Sequence, residues 1–169
     1  MLVVSSSEGM QTEFTDQIGQ EVIKPEHITP KLRRSCYGLI LRKDGKILVV
    51  KDRWKPNIWS LPGGGVEDKE SIEEGLRREI QEETGVSIQS TSKILHQQQQ
   101  NFYARDIDTF FDSRISIHLI EDFIEKGEKT DNQEIKEARW VKASELHEGN
   151  VHKNHYPAIR VLQEESRKG

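Results

Sequence analysis

The chain holds little that would cross-link it, anchor it in a membrane or draw it to a polyanion. Cys36 is the only cysteine among 169 residues, so no disulfide can close within the chain, and its place in an apolar run favours a buried structural thiol over a nucleophile. A reducing, cytoplasmic setting fits best. No apolar run approaches the roughly 20 residues that span a bilayer, and the opening MLVVSSSEGM lacks the basic start and longer apolar core of a secretory signal. Positive charge is not in excess either. The formal net charge is -4, which supplies no global field for nucleic acid, so a stable nucleic-acid partner is not expected. Repeats at solenoid or propeller periods are absent, which excludes those architectures.

What remains is a polar globular chain of one-domain size, 33% hydrophobic and 32% charged, long enough for one continuous core. Residues 1–34 mix polar groups with Gly9, Gly19, Pro25 and Pro30 and predict an irregular arm or one short strand. From Cys36 to Leu41 and from Lys46 to Val50 the residues are apolar and partly β-branched, and Asp44-Gly45 between them predicts a tight hairpin turn with positive φ angles. A Trp-, Pro- and Gly-rich loop follows over Arg53 to Glu70. Strand-like runs recur near Ile94 to Gln97, Ile115 to Phe123 and Ala138 to Val141, with helical signals at Ser144 to Leu146 and Tyr156 to Glu165. The order β, β, loop, α, β, β predicts an α/β fold with helices on both sides of a mixed sheet.

The central helix is marked at both ends. Ser71-Ile72-Glu73-Glu74 has the form of a capping box and Gly85 suits a left-handed stop, which predicts a helix from about Ile72 to Thr84. At about 100° per residue, with Ile72 at zero, Leu76 falls near about 40° and Ile80 near about 80°, and this stripe must face the sheet. Glu79 falls near about 340°, Glu83 near about 20° and Glu82 near about 280°. Carboxylates therefore lie in or beside the buried stripe, while Glu73, Glu74 and Arg77 project to solvent. Glu79 and Glu83 form a like-charge i, i+4 pair that costs free energy when half buried; a divalent cation reverses the sign. Gly75, on the same acidic edge, suggests clearance for a ligand or another backbone.

The run Trp59-Ser60-Leu61-Pro62-Gly63-Gly64-Gly65 lets the backbone pass close to a ligand or to the helix start. After Gly64 come five residues and Glu70, then seven residues and Arg78-Glu79-Ile80-Gln81-Glu82-Glu83-Thr84-Gly85-Val86. This 23-residue segment, Gly64 to Val86, resembles the Nudix box without departure, and Leu61-Pro62-Gly63 before it is in the same style. Nine specified positions in fixed register make the signal strong.

The resemblance implies a Nudix-type α/β/α sandwich over residues 35–169. It implies hydrolysis of a diphosphate linkage in a nucleoside diphosphate derivative, with Mg2+ or Mn2+ held by Glu79, Glu82 and Glu83. By the same resemblance Arg78 orients a catalytic glutamate, Glu70 holds the loop and reaches the metal through water, and Glu134 supplies an acid from outside the box, with Glu137 its alternative. Glu82 is the first choice for general base and Glu134 the second. Arg53, Gly63, Gly64 and Glu70 are the candidates for substrate contact, with Lys55 beside them. Trp54, Trp59, Phe102, Tyr103 and Tyr156 are candidates to stack on a base, against the alternative that they fill the core.

Three substrate classes stand open: a nucleoside triphosphate, favoured by the small single domain; ADP-ribose or another nucleotide-sugar; and a dinucleoside polyphosphate. A nucleotide sensor that has lost turnover is disfavoured because the acidic set is intact. The resemblance also leaves open a homodimer in which the N-terminal arm pairs across the interface.

Overall fold

The computed structural model describes residues 13–53, 55–125, 127 and 134–169. They fall into two compact units. The larger, Arg34–Gln98 with Arg114–Gly169, carries the segment from Gly64 to Val86. The smaller takes the described residues of Met1–Arg33 with Gln99–Ser113. Strands are β1 (Glu13–Thr15), β2 (Glu21–Ile23), β3 (Lys31–Ile40), β4 (Lys46–Asp52), β5 (Gly63–Gly65), β6 (Ser87–Ser90), β7 (Lys93–Ala104), β8 (Thr109–Ile120), β9 (Asp122–Ile124) and β10 (Ile135–Lys142). The helices are α1 (Ile72–Thr84) and α2 (Tyr156–Lys168).

In the larger unit the strands β7, β8, β3 and β5 lie side by side in that order, and β4 pairs with β10 in a second sheet. Alternation along the strands divides the core. On β3 and β4, Leu39, Ile47 and Val49 join Leu61, Ile117, Ile159 and Leu162 in a cluster that takes the apolar stripe of α2. The intervening Cys36, Ile40 and Leu48 join Leu76, Ile80 and Ile120 in a cluster that takes the stripe of α1. Side chains that alternate across a strand thus serve helices on opposite faces, which is the predicted α/β/α arrangement. Among the described residues no helix is long and apolar enough to cross a membrane.

In the smaller unit β1 pairs antiparallel with β2, Phe14 opposite Val22, and parallel with β7 at Thr15 and Phe102. Asp16, buried, closes the β1–β2 turn by accepting from the backbone N–H of Ile18 at 3.0 Å and of Gln20 at 2.8 Å, and it also pairs with Arg105.

Four expectations need correction. The hairpin of Cys36–Leu41 with Lys46–Val50 is a corner: β3 and β4 lie in different sheets, Leu41, just past β3, bridges to Ile47, and β4 finds its long partner in β10, from Ala138↔Val50 to Lys142↔Lys46. A turn signal fixes where the chain reverses, whereas long-range packing fixes which edge a strand keeps. Only Gly45 of the turn has positive φ, 82°, as in a three-residue loop. The glycine run, expected as loop, forms β5 against β3. The strands near residues 94–97 and 115–123 are longer or divided: β7 runs on through the glutamines to Ala104, and β9 is separate from β8.

Candidate active site

Helix α1 begins and ends on local chemistry. The Ser71 hydroxyl accepts from the Glu74 N–H at 3.1 Å while the Glu74 carboxylate accepts from the Ser71 N–H at 3.0 Å. Gly85, at φ 74°, closes the helix by donating to the Gln81 carbonyl at 2.9 Å. The last turn holds no basic residue, so Glu82 and Glu83 sit at the negative end of the helix dipole with no cation in that turn.

Three glutamates within five positions receive three environments. Glu83 is 7% exposed, and its Oε2 accepts from the Gly63 N–H at 3.1 Å. Burial pushes its carboxyl up to about 8, the charges of Glu79, Glu134 and Glu82 acting the same way and the Gly63 bond opposing them. Glu79, with an 18% exposed side chain, is also raised, first by burial. Its Oε1 accepts from Arg78 Nη1 at 3.1 Å. Glu82 is the most open, 40% exposed, and meets Arg78 Nη1 at 3.6 Å.

Arg78 organises the approach to these groups. Its Nε and Nη2 grip the two oxygens of Glu70 at 2.7 and 2.8 Å, a bidentate fork, and Nη2 also donates to the Gly65 carbonyl at 3.0 Å. The fork holds the Glu70 carboxyl down at about 2, helped by the N–H of Glu67, which donates to it at 2.9 Å. Both Glu70 oxygens are thereby engaged, and with them the loop before the helix. Arg34 clamps the same loop from β3 through the Glu67 and Glu70 carbonyls, each at 3.1 Å.

The glycine strand lies against this machinery. Gly63 has φ 147°, and a β-carbon there would stand 2.1 Å from the Cys36 carbonyl oxygen; at Gly64 it would stand 2.8 Å from the Glu79 carboxyl carbon. Gly75, by contrast, makes room neither for a ligand nor for another backbone: the nearest groups are Glu70 Oε1 and the Val66 methyls, at 3.0 and 3.2 Å from such a β-carbon.

Glu134 and Arg53 complete the neighbourhood. The Arg53 N–H donates to the Glu134 carbonyl at 2.9 Å, and the Glu134 charge acts on both Glu79 and Glu83. Glu137, the alternative to Glu134, is paired with Arg139. Lys55 sits in a turn closed by its N–H on Asp52 at 2.7 Å.

The aromatic candidates divide. Tyr156 packs on the core; so does Trp59, whose ring also carries Lys51 Nζ at 4.1 Å. Tyr103 packs on Phe110 at 4.5 Å and donates to Asp108 at 2.6 Å, within the smaller unit. Phe102 is in that unit too. Trp54 lies outside the described residues.

All acidic donors here are carboxylate oxygens, the set that suits magnesium and manganese. Among the described residues no three acidic, histidine or cysteine groups form a closed metal cluster. Arg78 is the cation that Glu79 and Glu82 meet. Glu83 and Glu79 are nevertheless held out of water beside like charges, at a cost that a divalent cation would offset.

A family model described as NUDIX domain matches residues 31–162. The chain belongs to the Nudix hydrolase family. It is thus a hydrolase of phosphoric anhydride bonds, and a divalent-metal requirement is general in Nudix hydrolases. Among its relatives, the nucleoside triphosphatase NudI of Escherichia coli O139:H28 is 36% identical over 125 residues, 68% of this chain and 85% of the relative. The Nudix fold is shared with the MutT NUDIX hydrolase from Burkholderia pseudomallei, at TM-score 0.62 and 22% identity over 78% of this chain and 98% of that one. The MutT protein from Methanosarcina mazei Go1 aligns at TM-score 0.61 and 20% identity, over 82% and 98%.

One buried group escapes the sequence patterns. His155, the residue before α2, accepts from the Leu61 N–H at its Nδ1, 3.0 Å away. It meets Tyr37 at a tilt of 48° and stacks on His152, with ring centroids 4.2 and 4.6 Å apart. Ninety-four residues separate His155 from Leu61, so no local spacing could have linked them.

Proposed function

We propose that this Nudix hydrolase splits nucleoside triphosphates with water to give a nucleoside monophosphate and pyrophosphate, and that it does so in the cytoplasm. The observation that carries the site assignment is the graded glutamate edge of α1: Glu83 fixed by the Gly63 N–H, Glu79 fixed by Arg78, and Glu82 left open. The substrate class is supported by the NudI relative, named as a nucleoside triphosphatase.

Glu79, Glu82 and Glu83 would hold Mg2+ or Mn2+, whose charge would offset that of the phosphates and acidify a bound water. The remaining work falls to the chain. Glu82, the least constrained of the three, takes the proton of the attacking water, with Glu134 the second candidate. Arg78 keeps Glu79 in place and, through Glu70, fixes the loop. The backbone of Gly63 and Gly64 and the side chain of Arg53 meet the phosphates.

The test is pyrophosphate and phosphate release with Mg2+ and then Mn2+ across triphosphates, nucleotide-sugars and dinucleoside polyphosphates, with Glu82→Gln alongside. Metal-dependent pyrophosphate release from triphosphates, lost in the variant, is expected. Turnover confined to another class would overturn the substrate assignment, and full activity in Glu82→Gln would overturn its role as base.

A further inference from the structure

The chain changes sheets immediately before the glycine strand. Ser60 exchanges backbone hydrogen bonds with Val50 of β4, both at 2.8 Å, and two residues later the Pro62 carbonyl accepts from Gly38 of β3 at 2.9 Å. Leu61 is the crossing residue. Its side chain is 1% exposed, and its N–H, between two ladders, is met by His155 Nδ1. A buried N–H left without an acceptor bears the full penalty of its lost hydration, so the imidazole determines where the crossing is most favourable. Contact with the tilted Tyr37 ring, its centroid 4.2 Å away, fixes the imidazole itself, and Tyr37 is the residue of β3 that stands opposite Gly63.

From Leu61 the run to Gly63 has little freedom. Pro62 has a fixed φ and a bonded carbonyl, and Gly63 is pressed against the Cys36 carbonyl and the Tyr37 backbone. The Gly63 N–H then holds Glu83 Oε2. We propose that His155 is a positioning residue for the hydrolase: as a hydrogen-bond acceptor at Nδ1 it sets the direction of the Gly63 N–H and so the place of the Glu83 carboxylate. The proposal rests on the assignment of Glu83 as a metal ligand.

The proposal separates acceptor from bulk. His155→Asn keeps an acceptor near the Nδ1 position, whereas His155→Phe keeps the ring and loses it. In metal-free protein, hydrogen exchange of the Gly63 amide should quicken at least about tenfold in the Phe variant and stay near wild type in the Asn variant. With magnesium and nucleoside triphosphate, His155→Phe should lower kcat at least about tenfold with KM changed less than about twofold, and His155→Asn should recover most of kcat. In a Glu83→Gln background neither variant should weaken Mn2+ binding further.

Wild-type exchange at Gly63 together with wild-type kcat in folded His155→Phe would overturn the proposal, as would equal loss in both variants. If His155→Phe does not fold, nitrogen NMR of the wild-type imidazole decides: a proton on Nε2 is required, and a proton on Nδ1 overturns the proposal. Failure of the Glu83 assignment is distinguishable, because Glu83→Gln alone would then leave Mn2+ binding unchanged while the Gly63 exchange result still stood.

Discussion

Adjacent glycines in the same strand should fail in different ways when each is given one methyl group. At Gly63 the new β-carbon would lie 2.1 Å from the Cys36 carbonyl oxygen and 2.6 Å from the Tyr37 Cα, on a residue whose φ is 147°. Both obstacles are backbone, so no rotamer relieves them, and β5 must leave β3. Backbone strain, lost ladder bonds and a Glu83 carboxyl without its N–H together place the cost on the order of 5 kcal/mol, a large part of a domain's stability. At Gly64 the three nearest atoms are the carboxyl group of Glu79, at 2.8 to 3.0 Å, and φ is not positive. That carboxylate can swing away at a cost of roughly 1 kcal/mol or less, but it then leaves Arg78 and its neighbours. A displacement near 1 Å at a reacting centre costs about 100-fold in rate. Thermal melts and urea titrations in the presence of chelator, followed by kcat with Mg2+, test the contrast. Gly63→Ala should lose roughly 10–20 °C in Tm, whereas Gly64→Ala should melt within a few degrees of wild type and turn over about 100-fold more slowly. A Gly63→Ala protein as stable as wild type, or a Gly64→Ala protein with full kcat, would refute the reasoning.

Replacing Glu82 by Gln should cut kcat by about 100- to 10,000-fold without a measurable change in metal-free stability, since the side chain is 40% exposed; a steady-state assay and a chelated melt measure the two. On folding at neutral pH the Glu83 carboxyl, raised to about 8, must take up a proton or bury its charge, so Glu83→Gln should stabilise the metal-free protein by about 1–4 kcal/mol while abolishing turnover; a destabilised variant would show that the carboxyl is needed for folding. Burial depresses both His152, to about 4, and His155, well below 6.5. The unfolded chain takes up those protons first, so what the two neutral rings contribute is full above pH 6.5 and falls below it, by ~1.4 kcal/mol per pH unit for each ring. Glu83, raised to about 8, acts with the opposite sign in metal-free protein, so denaturant titrations between pH 7 and 5 are read as a difference: His152→Gln should lose ~1.4 kcal/mol per pH unit less than wild type.

Local chemistry was legible in the sequence and long-range chemistry was not. Ser71, Glu74 and Gly85 each bond a partner within four residues of themselves, so both ends of α1 could be read directly. The angular position of Glu83 beside Leu76 and Ile80 followed from helix geometry alone, and all three are buried. The partner of β4 could not be read in the same way, because Ile47 to Val50 is apolar throughout and offers no polar face to orient it; β10, some 90 residues later, supplies the edge. The glutamines of β7 misled for the opposite reason. They lack the apolar alternation of a half-buried strand, yet they are held by polar contacts such as Gln99 Nε2 to Asp112 Oδ1 at 3.0 Å.

The site shows how one helix edge makes different reagents from one residue type. Glu79, Glu82 and Glu83 have the same chemistry in water, and only the rotation of about 100° per residue distinguishes them. Rotation towards the sheet gives Glu83 burial and a backbone donor, which fix it; the intermediate angle gives Glu79 to Arg78; rotation away leaves Glu82 partly in water, with only a long contact to the same guanidinium. On the proposed roles, the fixed Glu79 and Glu83 suit metal ligation, and the more exposed Glu82, proposed as a ligand too, has the room a proton acceptor needs. Moving the acidic triplet by one position along α1 would keep every charge and lose the division of labour, which is why the register between the glycine strand and the helix matters more than the number of glutamates.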